Sequence, residues 1–406
     1  MQRDKLIKEQ RQLERLGCYD DFNQIITEQH YYEALKKCRK SVSWKDSVQI
    51  YTQHAVLEIH SIAKKVRRGE LPNLKRTQRI EIRERGKKRI IVPVRIDDRI
   101  TQRVVCDFSL VPLLSNHIIY DNGASMEGKG VEFTRGRIER HLRKAIKKYG
   151  DNFYVLVYDF KSFFDSIPHQ TCEDVLNELY NDKTVVWLIM SIIRSYERAL
   201  IRTEPDVNLR KRHLDLLDNN QLSGICLGSQ ISQSIALIVP NELDHFIKDR
   251  CGAKQYIRYM DDGKINSESK EYLESVYAGM ESIVDKLGLS FNKKKTRIIP
   301  VSKGFTFMKV KYRVSKDGKL IKSLSRAGIT RMRRKLKKYR TLVSLGKMTQ
   351  EDVYFSMQSW LAHAKIAPSY KSAKKMMILY RDVNGMYKND VLTEVMKRKK
   401  KNYMVA

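Results

Sequence analysis

Three carboxylates stand where they could do chemistry. Asp261 and Asp262 are adjacent, set between the apolar pair Tyr256-Ile257 and Ile265. In a strand they would point to opposite faces, so a flat sheet cannot present both. A tight hairpin with Asp261, Asp262 and Gly263 at its tip can, with Gly263 tolerating positive φ. Crowded carboxylates repel, and a divalent cation is the usual way to hold them. Asp159 is the third, closing the apolar run Phe153–Tyr158. A buried strand rarely ends in an unpartnered carboxylate, because desolvating an ion is costly. Plainer readings compete: Asp-Asp-Gly is common turn chemistry, and Asp159 or Asp165 could cap the next turn. If the two elements are sheet neighbours, the carboxylates can hold two Mg²⁺ ions about 3.5–4 Å apart, with Mn²⁺ able to substitute. That arrangement serves in-line attack of a 3′-hydroxyl on a nucleotide α-phosphate. One ion lowers the hydroxyl pKa and the other stabilises the leaving pyrophosphate.

The elements that must position these groups follow from the apolar pattern. Residues 1–70 read as helices; Trp44–Arg68 carries apolar residues at helical spacing and stops at Gly69. Arg79–Arg83 and Lys88–Val94 alternate about turn chemistry at residues 84–87, which predicts a two-stranded ribbon. Its polar positions are mostly basic: Arg79, Arg83, Lys87, Lys88 and Arg89. They are either a charge-protected edge or, as the sign bias favours, a basic hairpin closing over phosphates. A helix begins at Asp98, and Asn122–Gly130 is a polar, glycine-rich loop that either cradles a phosphate or merely connects. A basic amphipathic helix is expected over 137–149 and a helical region over 171–201. A glycine loop, Gln221–Gln233, then enters a helix running to about Lys248, and small residues there let a substrate lie against backbone N–H groups. After the Asp261 hairpin come a helix to Leu287, a loop at Asn292–Thr296, a strand at Arg297–Pro300 and a last hairpin turning at Lys316–Lys319. From Ser325 the chain reads as helical, with Arg331, Arg333, Arg334, Lys335, Lys337, Lys338 and Arg340 crowded together. Such a run is ordinarily a solvated face; here it adds to a surface already basic.

Charge sets the partner class. The 406 residues hold 79 Lys+Arg against 47 Asp+Glu, a formal charge of +32 spread along the chain. A folded protein so basic repels itself unless it meets a polyanion, and phosphate backbones are the commonest one. With 42% hydrophobic residues, intrinsic disorder is not expected for the bulk. The six cysteines form no Cys-x-x-Cys pair and no zinc-spaced set. They read as reduced thiols, and with no apolar run of spanning length the expectation is a cytoplasmic protein without a membrane partner.

These motifs together resemble the reverse transcriptases. Tyr259-Met260-Asp261-Asp262 looks like their Y-x-D-D box, and Val157–His169 is similar to their first catalytic motif in the bacterial and group II intron form. Lys88–Pro93 with Asp98–Gln102 resembles the fingers motif. Leu287–Thr296 resembles the motif after the catalytic hairpin, and residues 304–312 resemble the primer grip. The matches fall in the family's order over roughly residues 70–365. The resemblance implies an α+β right-hand polymerase: a helical N-terminal extension over 1–70, fingers and an antiparallel palm over 71–322, and a basic helical thumb and tail over 323–406. The fingers would lie mainly in 71–150 and part of 170–225. It also implies that Asp159, Asp261 and Asp262 ligate the metal ions with help from the Phe160 carbonyl. Phe164 would be the steric gate under the sugar, and Arg83 and Arg89 would contact the triphosphate. Gly228 and Gln233 would lie at the nucleotide and template pocket, and Lys295 near the leaving group. Lys87, Lys88, Arg331, Arg334, Lys335 and Lys338 would meet the nucleic-acid backbone. Implied partners are an RNA template, a DNA or RNA primer and deoxynucleoside triphosphates, with a structured noncoding RNA and an accessory protein.

One departure narrows the type. Most reverse transcriptases carry Gln-Gly-x-x-x-Ser-Pro at the nucleotide pocket; this chain has Leu227-Gly228-Ser229-Gln230-Ile231-Ser232-Gln233. That form is similar to diversity-generating retroelement enzymes and to abortive-infection and other defence-associated bacterial reverse transcriptases. The expected function is error-prone synthesis of cDNA on RNA within a diversity-generating retroelement. The alternatives are a defence-associated enzyme, templated or template-independent, and a retron or group II-like enzyme. An endonuclease, an RNase H or a maturase region is not evident after the thumb.

Overall fold

The computed structural model describes residues 17–71, 80–84, 87–91 and 93–394. Among these residues the strands form three sheets. β1 (Ile80–Glu84) and β2 (Lys87–Ile91) make the expected antiparallel ribbon. A four-stranded sheet in the order β4-β5-β3-β6 joins β3 (Tyr154–Asp159), β4 (Tyr256–Tyr259), β5 (Asp262–Ser267) and β6 (Arg297–Pro300). A three-stranded antiparallel sheet runs β7 (Phe305–Phe307), β8 (Val310–Val314), β9 (Leu320–Leu324). Nearly everything else regular is helix, so the fold is α+β. β3 is buried at Val155, Leu156, Val157, Tyr158 and Asp159, as a central strand covered on both faces must be. β8 instead alternates, Val310, Tyr312 and Val314 inward and Lys311 and Arg313 outward, as a one-faced sheet requires.

The chain divides into two compact units. The first comprises Met1–Arg137, Tyr158–Ile265 and Glu271–Arg297. Within it the Glu28–Cys38 helix, capped by the Thr27 hydroxyl, lies along the Ile96–Val105 helix. Tyr31, Ala34 and Leu35 are buried on one side and Ile100, Val104 and Val105 on the other. The Tyr31 hydroxyl donates to Thr101 Oγ1 at 3.5 Å, and Lys37 pairs with Asp107 at 2.7 Å. Phe22 N–H donates to Asp182 Oδ2 at 2.8 Å, while the same carboxylate accepts from Thr184 and so caps the Lys183–Arg202 helix. The N-terminal helices therefore brace this unit through specific polar ties as well as apolar packing.

The second unit comprises Ile138–Val157, Asn266–Lys270 and Ile298–Ala406. Ser325 caps the Arg326–Ser344 helix, and a Thr349–Asp352 capping box starts the Gln350–Ala364 helix. With the Tyr370–Asn384 helix they enclose Met332, Leu336, Val353, Met357, Met376 and Tyr380. The charged residues of the first of these helices face water.

Several expected boundaries shift, each for a local reason. Trp44–Arg68 is two helices, Asp46–Gln53 and Ala55–Arg67, with His54 between them. The basic helix runs Val131–Tyr149, six residues longer at its start than expected, because Gly136 is accommodated inside it. A further helix, Val207–Asp218, is capped by the Asp206 side chain and follows the region expected to end at 201.

Candidate active site

The turn that carries the paired aspartates is tighter than the sequence suggests. Tyr259 pairs with Asp262, so only Met260 and Asp261 connect β4 to β5. Met260, at φ 53°, supplies the left-handed residue. Gly263 does not: it lies inside β5 opposite Arg258. Its missing side chain serves a different end, because a Cβ there would overlap Cζ, Cε1 and Oη of Tyr158 on the neighbouring strand. The expected Asp-Asp-Gly tip is corrected accordingly. The glycine is needed for close approach of an aromatic ring, and the backbone reversal falls on a methionine.

That close approach brings the third carboxylate alongside. Tyr158 and Asp159 end β3, and the next residue, Phe160, donates its N–H to the Asp261 carbonyl at 3.2 Å. From the other side, Asn292 N–H donates to the Asp159 carbonyl at 2.7 Å and Asn292 Nδ2 to Asp159 Oδ1 at 3.3 Å. Lys295 Nζ donates to Asp159 Oδ2 at 2.7 Å. Below the carboxylates, Phe160 stacks between Phe163 and Phe291 at centroid distances of 5.0 and 5.3 Å. Tyr158 packs edge-on against Phe291. These buried rings fix the strand end that bears Asp159.

Charge at the site is unbalanced toward the negative. Burial, then the Asp261 and Asp159 charges and a hydrogen bond with Asp159, push the Asp262 carboxyl up to about 7, with Lys295 opposing. Partial burial works against the Lys295 ammonium, but its bond to Asp159 and the nearby Asp262 and Asp261 charges raise its pKa overall. Among the described residues no three carboxylate, imidazole or thiolate groups are disposed around a common metal position. Lys295 sits on Asp159 instead, and Asp262 shares a hydrogen bond with it. The donor set nevertheless fits a hard divalent cation: three carboxylates, oxygen donors only, and a negative charge that one ammonium does not neutralise.

Of the predicted pocket residues, Gly228 and Gln233 share a cleft. Gly228, at φ 102° with open space where a Cβ would stand, precedes the Gln230–Ile238 helix capped by Ser229. Gly228 and Gln233 line a cleft of about 520 Å³ together with Lys37, Arg99, Gln102 and Arg103. Gln102 Oε1 accepts from Ser229 Oγ at 3.2 Å and so fixes the start of that helix. Phe164 is partly exposed, and its carbonyl accepts from Ile225 N–H at 2.8 Å. His169 Nε2 donates to the Gly224 carbonyl at 2.9 Å. The segment after Asp159 is thereby stitched to the segment leading into Gly228.

The basic candidates divide by place. In the ribbon Arg83 stands opposite Lys88, Arg89 opposite Ile82 and Lys87 opposite Glu84. The side chains of Arg83, Lys87, Lys88 and Arg89 lie outside the described residues. Arg331, Arg334, Lys335 and Lys338 are all exposed on the Arg326–Ser344 helix of the second unit. Sequence reasoning missed Asn292 and Gln102 as site residues, although each sits inside a stretch already singled out. It also missed Arg258, whose signal was a basic residue in an otherwise buried strand. Among the described residues no helix is long and apolar enough to cross a membrane.

Among curated proteins none matches the chain. Similar solved structures include telomerase from Candida albicans in complex with a TWJ fragment of telomeric RNA. It is 12% identical over 86% of this chain and 68% of that one, with a TM-score of 0.42. Another is apo telomerase from Candida tropicalis truncated from its C-terminal domain, 12% identical over 66% of this chain and 60% of that one, with a TM-score of 0.43. Residues 62–312, more than half of the chain, match the family described as reverse transcriptase (RNA-dependent DNA polymerase). The chain thus belongs to the reverse transcriptases and is an RNA-directed DNA polymerase, a nucleotidyltransferase.

Proposed function

We propose that the chain makes cDNA on an RNA template at Asp159, Asp261 and Asp262, within a diversity-generating retroelement. The observation that supports the site most directly is the Phe160 N–H bond to the Asp261 carbonyl, which ties the strand end bearing Asp159 to the turn bearing the other two. The three carboxylates, helped by the Phe160 carbonyl, would hold Mg²⁺. Bound there, two such ions would activate the primer 3′-hydroxyl and neutralise charge on the phosphates. The remaining rate comes from positioning and electrostatics. Lys295, an ammonium at neutral pH as any lysine near its ordinary pKa is, offers charge and a proton to the leaving phosphates. Arg83 and Arg89 of the ribbon contact the triphosphate. Phe164 fills the space that a 2′-hydroxyl would need.

Gly228 and Gln233 sit at the base pair being formed, in a cleft whose Lys37, Arg99 and Arg103 suit a phosphate backbone. Where most relatives place a glutamine before this glycine, Leu227 offers only an apolar surface, so the base pair loses a polar check. Lys87, Lys88, Arg331, Arg334, Lys335 and Lys338 hold template and primer. In this reading residues 1–70 are an N-terminal extension, 71–322 fingers and palm, and 323–406 the thumb. A structured RNA and an accessory protein present the template.

The test is deoxynucleotide incorporation on a primed RNA template with Mg²⁺, followed by sequencing of the product. Error-prone copying predicts misincorporation concentrated opposite template adenine; ordinary fidelity there counts against the retroelement assignment while leaving polymerisation intact.

A further inference from the structure

Arg258 lies in β4 two residues before Met260 and is fully buried. Its Nε donates to both oxygens of Asp244, at 2.8 and 3.0 Å, and Nη2 to Asp244 Oδ2 at 2.7 Å. Asp244 is equally buried and also accepts from the Tyr256 hydroxyl at 2.6 Å. Such a pair contributes little net stability, since desolvation offsets its attraction and apolar residues of similar volume commonly do as well. Stability therefore does not explain why a guanidinium stands here. Its remaining bonds do. Nη2 also donates to the Leu237 carbonyl at 2.7 Å, and Nη1 to the Met260 carbonyl at 3.1 Å. The first carbonyl belongs to the Gln230–Ile238 helix that starts beside Gly228; the second belongs to the turn itself. The backbone of Arg258 is pinned in turn, its N–H donating to the Asp121 carbonyl at 3.1 Å and its carbonyl accepting from Gly123 at 2.9 Å.

We propose that Arg258 is the positioning residue of the polymerase centre. Its guanidinium, braced on Asp244, holds the Met260 carbonyl, and through it the turn that aims Asp261 and Asp262, in register with the helix behind Gly228. Met260 adopts a left-handed conformation that a non-glycine residue disfavours, so the turn needs an outside hold. The two tip carbonyls receive one each: Met260 from Arg258, Asp261 from Phe160. A lysine cannot replace the arginine, because a single ammonium lacks the planar fork that reaches three elements at once. The inference rests on the reading of Asp261 and Asp262 as the centre.

The variant Arg258→Met/Asp244→Leu removes both charges together, leaving no lone buried ion. Its thermal melt by circular dichroism stays close to wild type. kcat falls roughly 100-fold with little change in KM for deoxynucleotide, as a small misplacement of reacting groups predicts. Mn²⁺ binding, read without turnover from the electron paramagnetic resonance of the free ion, weakens. Wild-type kcat and wild-type Mn²⁺ binding in this folded variant overturn the proposal. If the double variant does not fold, Arg258→Lys with and without Met260→Gly decides. Glycine takes the left-handed conformation freely, so it restores a good part of the lost kcat if holding the turn is what Arg258 does, and no restoration refutes it. Activity surviving in Asp261→Ala/Asp262→Ala would instead refute the site on which the inference rests.

Discussion

Gly263→Ala adds one methyl group and nothing else, yet it should disable the enzyme. The residue sits in β5 directly after Asp262, at an ordinary strand conformation, so alanine brings no backbone strain. The difficulty is Tyr158, whose Cζ, Cε1 and Oη the new methyl would overlap. That ring cannot step aside. It is buried, its hydroxyl bonds the Tyr256 hydroxyl at 2.6 Å, and its edge packs on Phe160 and Phe291 at 5.9 and 5.2 Å. β5 must therefore move away from β3 by on the order of 1 Å to restore ordinary carbon contacts. Overpacking of this kind costs about 1–3 kcal/mol. The larger consequence is for rate, because a shift of about 1 Å in the reacting geometry costs roughly 100-fold. Differential scanning calorimetry and single-nucleotide extension check the two parts separately. Gly136→Ala is the control: it lies within the Val131–Tyr149 helix with open space around it, so alanine should be neutral or stabilise by up to about 1 kcal/mol. A Gly263→Ala enzyme with wild-type melting and wild-type extension would refute the packing argument.

Three further outcomes are expected. Phe164→Ala should raise ribonucleotide incorporation relative to deoxynucleotide, measured as the ratio of kcat/KM values, and an unchanged ratio removes the gate assignment. Lys295→Met, which takes the ammonium off Asp159, should lower kcat by roughly 10–100-fold, the range of general acid and electrostatic contributions. Lys295→Arg should recover part of that loss, and a Lys295→Met enzyme of full activity excludes the role. Asp98 is buried, and burial, with Asp97 adding and Arg95 opposing, pushes its carboxyl up to about 7. An acid with a raised folded pKa loses stability as pH rises from the unfolded value, about 4, to the folded value, where only the unfolded chain has released the proton, and the cost is constant above it. Asp98→Asn should therefore match wild type near pH 4 and exceed it at pH 8 by on the order of a few kcal/mol. A variant whose melting temperature tracks wild type across that range contradicts it.

What the chain discloses by pattern alone is local. Alternation about the 84–87 turn marked the ribbon, the apolar run ending in Asp159 marked β3, and the apolar pairs around Asp261 marked a hairpin. Ser325 announced the helix it caps. The errors arise where one residue type serves two physical ends. Gly263 beside two aspartates reads as a turn glycine, yet its use is to admit the Tyr158 ring, and nothing local distinguishes positive φ from a missing Cβ. The left-handed residue is Met260, which no propensity would choose and which a hydrogen bond from Arg258, itself braced on Asp244, supports. Gly136 likewise concealed the first turns of a helix that the surrounding packing stabilises. Arg258–Asp244, Asn292–Asp159 and Gln102–Ser229 join residues 14, 133 and 127 positions apart. Each pair is invisible until the strands and helices are laid side by side.

The central claim is that Asp261 and Asp262, tied to Asp159 through Phe160, carry out phosphoryl transfer on RNA-templated primers. The most direct measurement is primer extension on RNA with deoxynucleotides and Mg²⁺, comparing wild type with Asp261→Ala/Asp262→Ala, with RNA binding measured on both proteins. The account predicts that extension disappears while RNA binding and the circular dichroism spectrum persist. Extension that survives the double substitution at a rate near wild type would place the chemistry elsewhere in the molecule and contradict the account.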